Sequence, residues 1–161
     1  MINKIKTLFT AGLLVWLVCG CYSFSGGRLD FTTVGIPVAE NSTAEYRLSD
    51  IMTTTMINAV NNDGRVKVSD PDKAEAVLEV AVTGYSRAPF EYTSQEQVNQ
   101  YKVTINAKAK LRSAAGKVLW ESAGLSGWST YQINGSDEES GMKKAAENLA
   151  AEIIRQSFET W

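Results

Sequence analysis

Residues 101–112 read YKVTINAKAKLR, and this stretch decides the fold. Tyr101, Val103, Ile105, Ala107, Ala109 and Leu111 alternate with Lys102, Thr104, Asn106, Lys108, Lys110 and Arg112. A period of two over twelve residues predicts a strand with one buried and one wet face. Its neighbours extend the pattern. Ser113-Ala114-Ala115-Gly116 reads as a hairpin loop into a further strand, Lys117 to Tyr131, and Ala76 to Tyr85, rich in Val and Leu, reads as the strand before. Between these, Ser86 to Gln100 is expected to be a long connection carrying Pro89, Phe90 and Tyr92.

Upstream, Phe31 to Val38 suits a pleated surface, and Pro37 marks its end. Ser42 and Glu45 have capping-box spacing, which predicts a helix starting there. Leu48, Ile51, Met52, Met56, Ala59 and Val60 supply its apolar face, and Asn61-Asn62-Asp63-Gly64 its end. Val66 to Val68 is a short extended piece before a turn at Asp70-Pro71-Asp72. Downstream, Ser136 and Glu139 repeat the capping-box spacing. A second helix then carries Met142, Ala145, Ala146, Leu149, Ala150, Ile153, Ile154, Phe158 and Trp161 on one stripe. Its alanines would let it lie close to a sheet.

Both helices are one-sided, so each needs a sheet face to cover. The expectation is an α+β two-layer sandwich, with two helices packed on one face of a four-stranded mixed sheet. The first strand, the helix and the next long strand form a crossover with that strand pair parallel, and the later strands form an antiparallel meander.

The N-terminal segment is of another kind. Lys4 and Lys6 precede an apolar run from Leu8 to Val18, too short for a stable membrane span. This predicts a signal peptide over residues 1–20. Val18, Cys19, Gly20 and Cys21 resemble a bacterial lipobox, with Cys21 as the lipidated residue. Cys19 leaves with the leader, so the mature chain has no second cysteine for a disulfide. Residues 21–30 form a short tether, and 31–161 a single domain. A diacylated or triacylated Cys21 is a near-permanent anchor. In Gram-negative lipoproteins an Asp after the lipidated Cys commonly retains the protein in the inner membrane, so resemblance to that class, with Tyr22 here in its place, implies a lipid-anchored protein of the Gram-negative cell envelope at the outer membrane.

The formal net charge is −2, and more negative once Lys4 and Lys6 are removed, so no nucleic-acid partner is expected. There is no His, which removes Ser–His, Cys–His and His–metal chemistry. No phosphate-loop, dinucleotide or nucleophile-elbow motif occurs. Asp137, Glu138 and Glu139 sit at a helix start, where capping accounts for them. No catalytic residue, metal or cofactor is expected.

Several segments together resemble the lipopolysaccharide-assembly lipoproteins of the LptE type. They are Cys-Tyr-Ser-Phe-Ser-Gly from Cys21, Ile-Pro-Val-Ala-Glu-Asn from Ile36, Ala-Glu-Ala-Val-Leu from Ala74, Gly-Lys-Val-Leu-Trp from Gly116 and Ala-Ala-Glu-Asn-Leu-Ala from Ala145. The resemblance implies a non-enzymatic protein that plugs a large outer-membrane β-barrel, helps it assemble and binds lipopolysaccharide. It also implies the fold derived above.

The residues offer candidates of their own. Lys102, Lys108, Lys110 and Arg112 share one strand face and suit lipid phosphates. They equally suit a solvated face that resists edge pairing. Phe90 and Tyr92 either dock into a protein partner or fold back over the sheet edge. Trp120 and Trp128, within a strand, are expected to serve packing. The competing function is an activator or adaptor of a peptidoglycan synthase or other envelope complex. It shares the Ile-Pro-x-x-x-Asn and Ala-Glu-Ala-x-Leu segments, but a periplasm-crossing activator needs a much longer tether than the ten residues or so after Cys21.

Overall fold

The computed structural model describes residues 29–133, 135 and 137–159. The signal peptide, Cys21 and most of the tether lie outside the described residues. So do Ser136, proposed as a helix cap, and Trp161.

The alternating stretch forms the middle of the sheet. The long strands are β4 (Ala76–Tyr92), β5 (Val98–Ser113) and β6 (Val118–Gln132), paired antiparallel in sequence. Val103, Ile105, Ala107, Ala109 and Leu111 are all buried, as the period of two requires. The β5–β6 turn uses Gly116 at φ 83°, a left-handed conformation that favours glycine.

Three short strands complete a six-stranded mixed sheet, where four strands were expected. They are β1 (Thr33–Gly35), β2 (Glu40–Asn41) and β3 (Lys67–Ser69). Both β1 and β2 run parallel to β4, opposite Ala76–Val77 and Ala81–Val82 respectively. They are two pieces of one strand, interrupted around Pro37, which has no N–H for the ladder. The third, β3, pairs with the other side of β1.

Two helices cover one face: α1 (Leu48–Asp63) and α2 (Glu138–Glu159). Leu48, Met52, Met56 and Val60 make the buried stripe of α1, and Gly64 ends it at φ 73° with its N–H on the Val60 carbonyl. The helix begins later than the capping-box spacing suggests. Ser42 is still held by the sheet, its N–H donating to the Val82 carbonyl. Asn41 then shapes the turn: its Oδ1 accepts the Thr43 N–H at 3.0 Å and its Nδ2 donates to the Glu45 carbonyl at 2.8 Å.

In α2, Met142, Ala145, Ala146, Leu149, Ala150, Ile153, Ile154 and Phe158 are buried as the stripe predicts. The cap is Asp137, whose Oδ1 accepts the Ser140 N–H at 2.8 Å. The alanines do bring the helix close. A Cβ on Gly127 of β6 would sit 2.3 Å from the Ala145 carbonyl oxygen. At the opposite end of α2, Phe158 packs edge-on against Phe31, with ring centroids 6.0 Å apart. The chain therefore enters the domain beside the C-terminal end of α2.

One difference bears on function. The connection expected from Ser86 to Gln100 is mostly strand. The ladder between β4 and β5 continues to Tyr92↔Val98, and only residues 93–97 form the turn. Pro89 is tolerated because β4 has only β5 beside it there, leaving the other edge with no ladder to break. Residues 86–92 are all exposed. At about 3.3 Å per residue, 17-residue β4 spans roughly 50 Å, and beyond Glu91↔Gln100, where the β6 pairing ends at Gln132, only the β4–β5 hairpin tip continues.

Candidate functional site

Two regions carry the candidate residues: the helix-free face of the sheet and the projecting hairpin.

Lys102, Lys108, Lys110 and Arg112 do share the helix-free face, opposite the buried side of β5. They do not form a bare cationic patch. Arg112 is bonded to Glu79 of β4, with Nε to Oε2 at 3.1 Å and a second, shorter guanidinium contact. That carboxylate holds the Arg112 guanidinium above its ordinary range. Lys110 meets Glu121 of β6 at 3.1 Å. Glu79 lies directly across the ladder from Lys110 but reaches diagonally to Arg112, which leaves Lys110 to β6. Lys102 sits over the Trp128 ring, its Nζ 4.5 Å from the centroid. Among the described residues the Lys108 ammonium has no ion-pair or hydrogen-bond partner, though its backbone is in the ladder opposite Ala81. It lines an open groove of about 350 Å³ with Pro37, Val38, Glu40, Ala81 and Glu121.

The tryptophans divide. Trp120 packs against the core, as expected. Trp128 does not: it is 51% exposed on the helix-free face. Strand parity decides this. Trp128 is opposite Thr104, an outward position, while its neighbours Gly127 and Ser129 point inward.

Phe90 and Tyr92 lie on the outer part of the hairpin, 55% and 58% exposed. They do not fold back over the sheet. The hairpin is closed by a turn in which the Thr93 N–H donates to the Gln97 carbonyl at 2.8 Å, with Glu96 at φ 60°. Ile133, 48% exposed, is tied to the same end by its N–H on the Asn99 carbonyl.

On the helix side of the outer half of β4 lies a polar cluster that the strand alternation does not suggest. The Tyr85 hydroxyl donates to Glu138 Oε1 at 2.6 Å, and Arg87 Nη1 meets Glu138 Oε2 at 2.5 Å. The Arg87 guanidinium lies 4.5 Å from the Tyr101 ring centroid, and Tyr101 stacks on Tyr131 at 5.8 Å. The phenol of Tyr85, partly desolvated and facing Glu138, is pushed well above its ordinary range and stays neutral. Glu138 is held below the usual carboxylate range, first by the Tyr85 hydroxyl and then by Arg87. Strict alternation hides this cluster. The β4–β5 register shifts between Val82 and Gly84, so Tyr85 and Arg87, opposite Ile105 and Val103, take the inward positions.

Among the described residues no group of three or more potential ligands is placed to hold a metal ion. No described helix is long and apolar enough to cross a membrane.

The family model for lipopolysaccharide assembly, LptE, matches residues 31–157. The chain belongs to the LptE family. That match covers the whole described sheet and nearly all of α2, and it places this LptE-family chain in lipopolysaccharide assembly. Solved structures share the fold. A point variant of PelC from Paraburkholderia phytofirmans, a dodecamer, matches with TM-score 0.55 at 16% identity, covering 81% of this chain and 90% of that one. A DUF330 protein from Xanthomonas campestris matches with TM-score 0.53 at 13% identity, covering 84% and 88%. A minor lipoprotein from Acinetobacter baumannii matches with TM-score 0.50 at 16% identity, covering 80% and 91%. At such identities the likeness establishes a shared fold alone. No curated protein sequence matches the chain significantly.

Proposed function

We propose that this LptE-family chain is a non-enzymatic lipoprotein, anchored through Cys21 at the outer membrane. There it partners a large β-barrel in lipopolysaccharide export and contacts lipopolysaccharide itself. The observation that carries the barrel reading is the hairpin. A monomeric domain gains nothing from an edge segment, residues 86–92, that is exposed throughout, carries two large aromatics and ends in a hairpin tip beyond the last β6 partner at Gln100↔Gln132. Exposed aromatics on a rigid element are suited to filling pockets on a protein partner. The tether agrees with this. About ten residues between Cys21 and Phe31 reach at most roughly 35 Å when extended, so the domain stays against the membrane that holds the barrel.

Lipopolysaccharide contact falls, in this reading, to Lys102 and Lys108. Lys110 and Arg112 already have carboxylate partners, and drawing them to a phosphate would leave Glu121 and Glu79 uncompensated. Trp128 beside Lys102 adds an apolar surface for an acyl chain.

Photo-cross-linkers at positions 90 and 92, in cells making the full chain, test the barrel reading. The expected product is one cross-link to a large outer-membrane β-barrel. The same product with equal yield from a probe at Lys73, on the turn near the opposite end, would count against it.

A further inference from the structure

The direction of the hairpin is not set by the sheet alone. A register shift between Val82 and Gly84 interrupts the β4–β5 ladder at the start of the outer half of β4, and such irregularities bend strands. A second shift lies nearby in the β5–β6 ladder, between Ala107 and Ala109. Beyond these points Ile105 and Val103 of β5 stay fully buried, but the inward positions around them pass to Tyr85 and Arg87 on β4, Tyr101 on β5 and Tyr131 on β6. These side chains close a circuit on the first turn of α2. Glu138 holds Tyr85 and Arg87, Arg87 covers Tyr101, Tyr101 stacks on Tyr131, and Tyr131 returns to the helix at Gly141. A Cβ on Gly141 would lie 2.7 Å from Tyr131 Cδ1, so the helix approaches the ring as closely as a residue without a side chain permits. The neighbouring Ser129 hydroxyl, buried, donates to the Gly141 carbonyl at 2.6 Å.

We infer that Glu138 is a positioning residue: from the start of α2 it fixes the angle at which the β4–β5 hairpin projects, and so where Phe90 and Tyr92 are presented. Its value to function rests on the reading that the hairpin engages a partner; the positioning itself stands apart from that reading. Chemistry explains why a carboxylate serves here. One oxygen accepts from a phenol and the other from a guanidinium, so two successive inward residues of β4 are held by one side chain. Glutamine keeps an acceptor for Tyr85 but has none left for Arg87, and alanine keeps neither. The nearby cation is otherwise engaged: Arg47, ahead of α1, is held by both oxygens of Glu45 at 2.8 and 3.0 Å and comes only to 3.9 Å of Glu139, so the hydrogen bonds of Glu138 go to β4.

Amide hydrogen exchange on the full lipidated chain in detergent tests this, comparing the wild type with Glu138→Gln, Glu138→Ala, Arg87→Ala and the double alanine variant. Glu138→Ala is expected to speed exchange in residues 86–91 and 98–102 by at least about tenfold, with residues 76–82 and 105–111 unchanged. Glu138→Gln and Arg87→Ala should each fall between, and the double variant Glu138→Ala with Arg87→Ala should exchange little faster than Glu138→Ala. Unchanged hairpin exchange in Glu138→Ala would overturn the proposal. Equal acceleration over the whole sheet would also overturn it, since that is general destabilisation. Cross-linking from position 90 in the same variants separates the two ideas. A loosened hairpin that still cross-links as wild type leaves Glu138 as the positioning residue and removes the hairpin from partner binding.

Discussion

Gly127 of β6 lies so close to α2 that a methyl group on it would sit 2.3 Å from the Ala145 carbonyl oxygen and 2.5 Å from Leu149 Cβ. Neither obstacle is the end of a flexible chain, so the helix must lift for any side chain to fit. Gly127→Ala should destabilise the domain by about 2 kcal/mol, in the range of core overpacking. Urea unfolding should show a lower midpoint with an unchanged slope. Gly124, two positions before Ser126 on the same strand, has open space at its Cβ and serves as the control. Gly124→Ala should leave the midpoint nearly unmoved.

The end where the chain enters depends on Phe158. It is buried against Phe31, and Arg65 lies over its ring at 5.4 Å while binding Asp63. Phe158→Ala should cost about 3–5 kcal/mol, as for other buried aromatic truncations. Arg65→Ala leaves the Phe31–Phe158 contact intact and should cost about 1 kcal/mol or less. Reversing that order in the two unfolding midpoints would mean the charge, not the ring packing, secures this end.

Acid should weaken the fold through carboxylates whose pKa the folded state depresses. Asp63 is lowered chiefly by its bond to Arg65, Glu138 by Tyr85, and Glu75 by the N–H and hydroxyl of Thr32. A depressed folded pKa means that the stabilisation is complete above the unfolded value, near pH 4 for carboxylates. It is lost as pH falls through the lower folded values. Thermal melts should therefore be flat from pH 7 to 5 and fall steeply toward pH 3. In Glu138→Gln the fall should be shallower, because one of the titrating groups is gone.

The helix-free face makes a selective prediction. Lys102→Glu and Lys108→Glu should weaken binding to lipopolysaccharide-containing vesicles about tenfold or more, with a strong salt dependence. Lys110→Gln should change binding little, since Lys110 is engaged with Glu121. Equal losses from all three would mean the ion pairs open on binding and the whole strand face is used.

Much of the fold is legible in the residues. Tyr101 to Leu111 alternates without interruption, and the α2 stripe from Met142 to Phe158 has the spacing of a helix that covers a sheet. What escapes is local competition. Ser42 has the spacing of a cap, but its N–H is already taken by Val82, so the chain stays extended and α1 starts at Leu48. Pro89 and the polar residues around it suggest a loop, yet an edge with no further strand beside it accepts proline and the ladder runs on to Tyr92. The cationic strand is visible in the sequence. Its compensation by Glu79 and Glu121 is not, because that depends on register across three strands. Glu138 is hidden for the same reason: its partners lie more than fifty positions away, past a register shift.

The most direct test of the account is to purify the lipidated full chain from detergent-solubilised outer membrane and identify what accompanies it. The account predicts one large β-barrel in stoichiometric amount, lost when Phe90 and Tyr92 are both changed to Ala in a protein that still folds. Recovery of a peptidoglycan synthase in its place, or a barrel retained undiminished by the double variant, would contradict it.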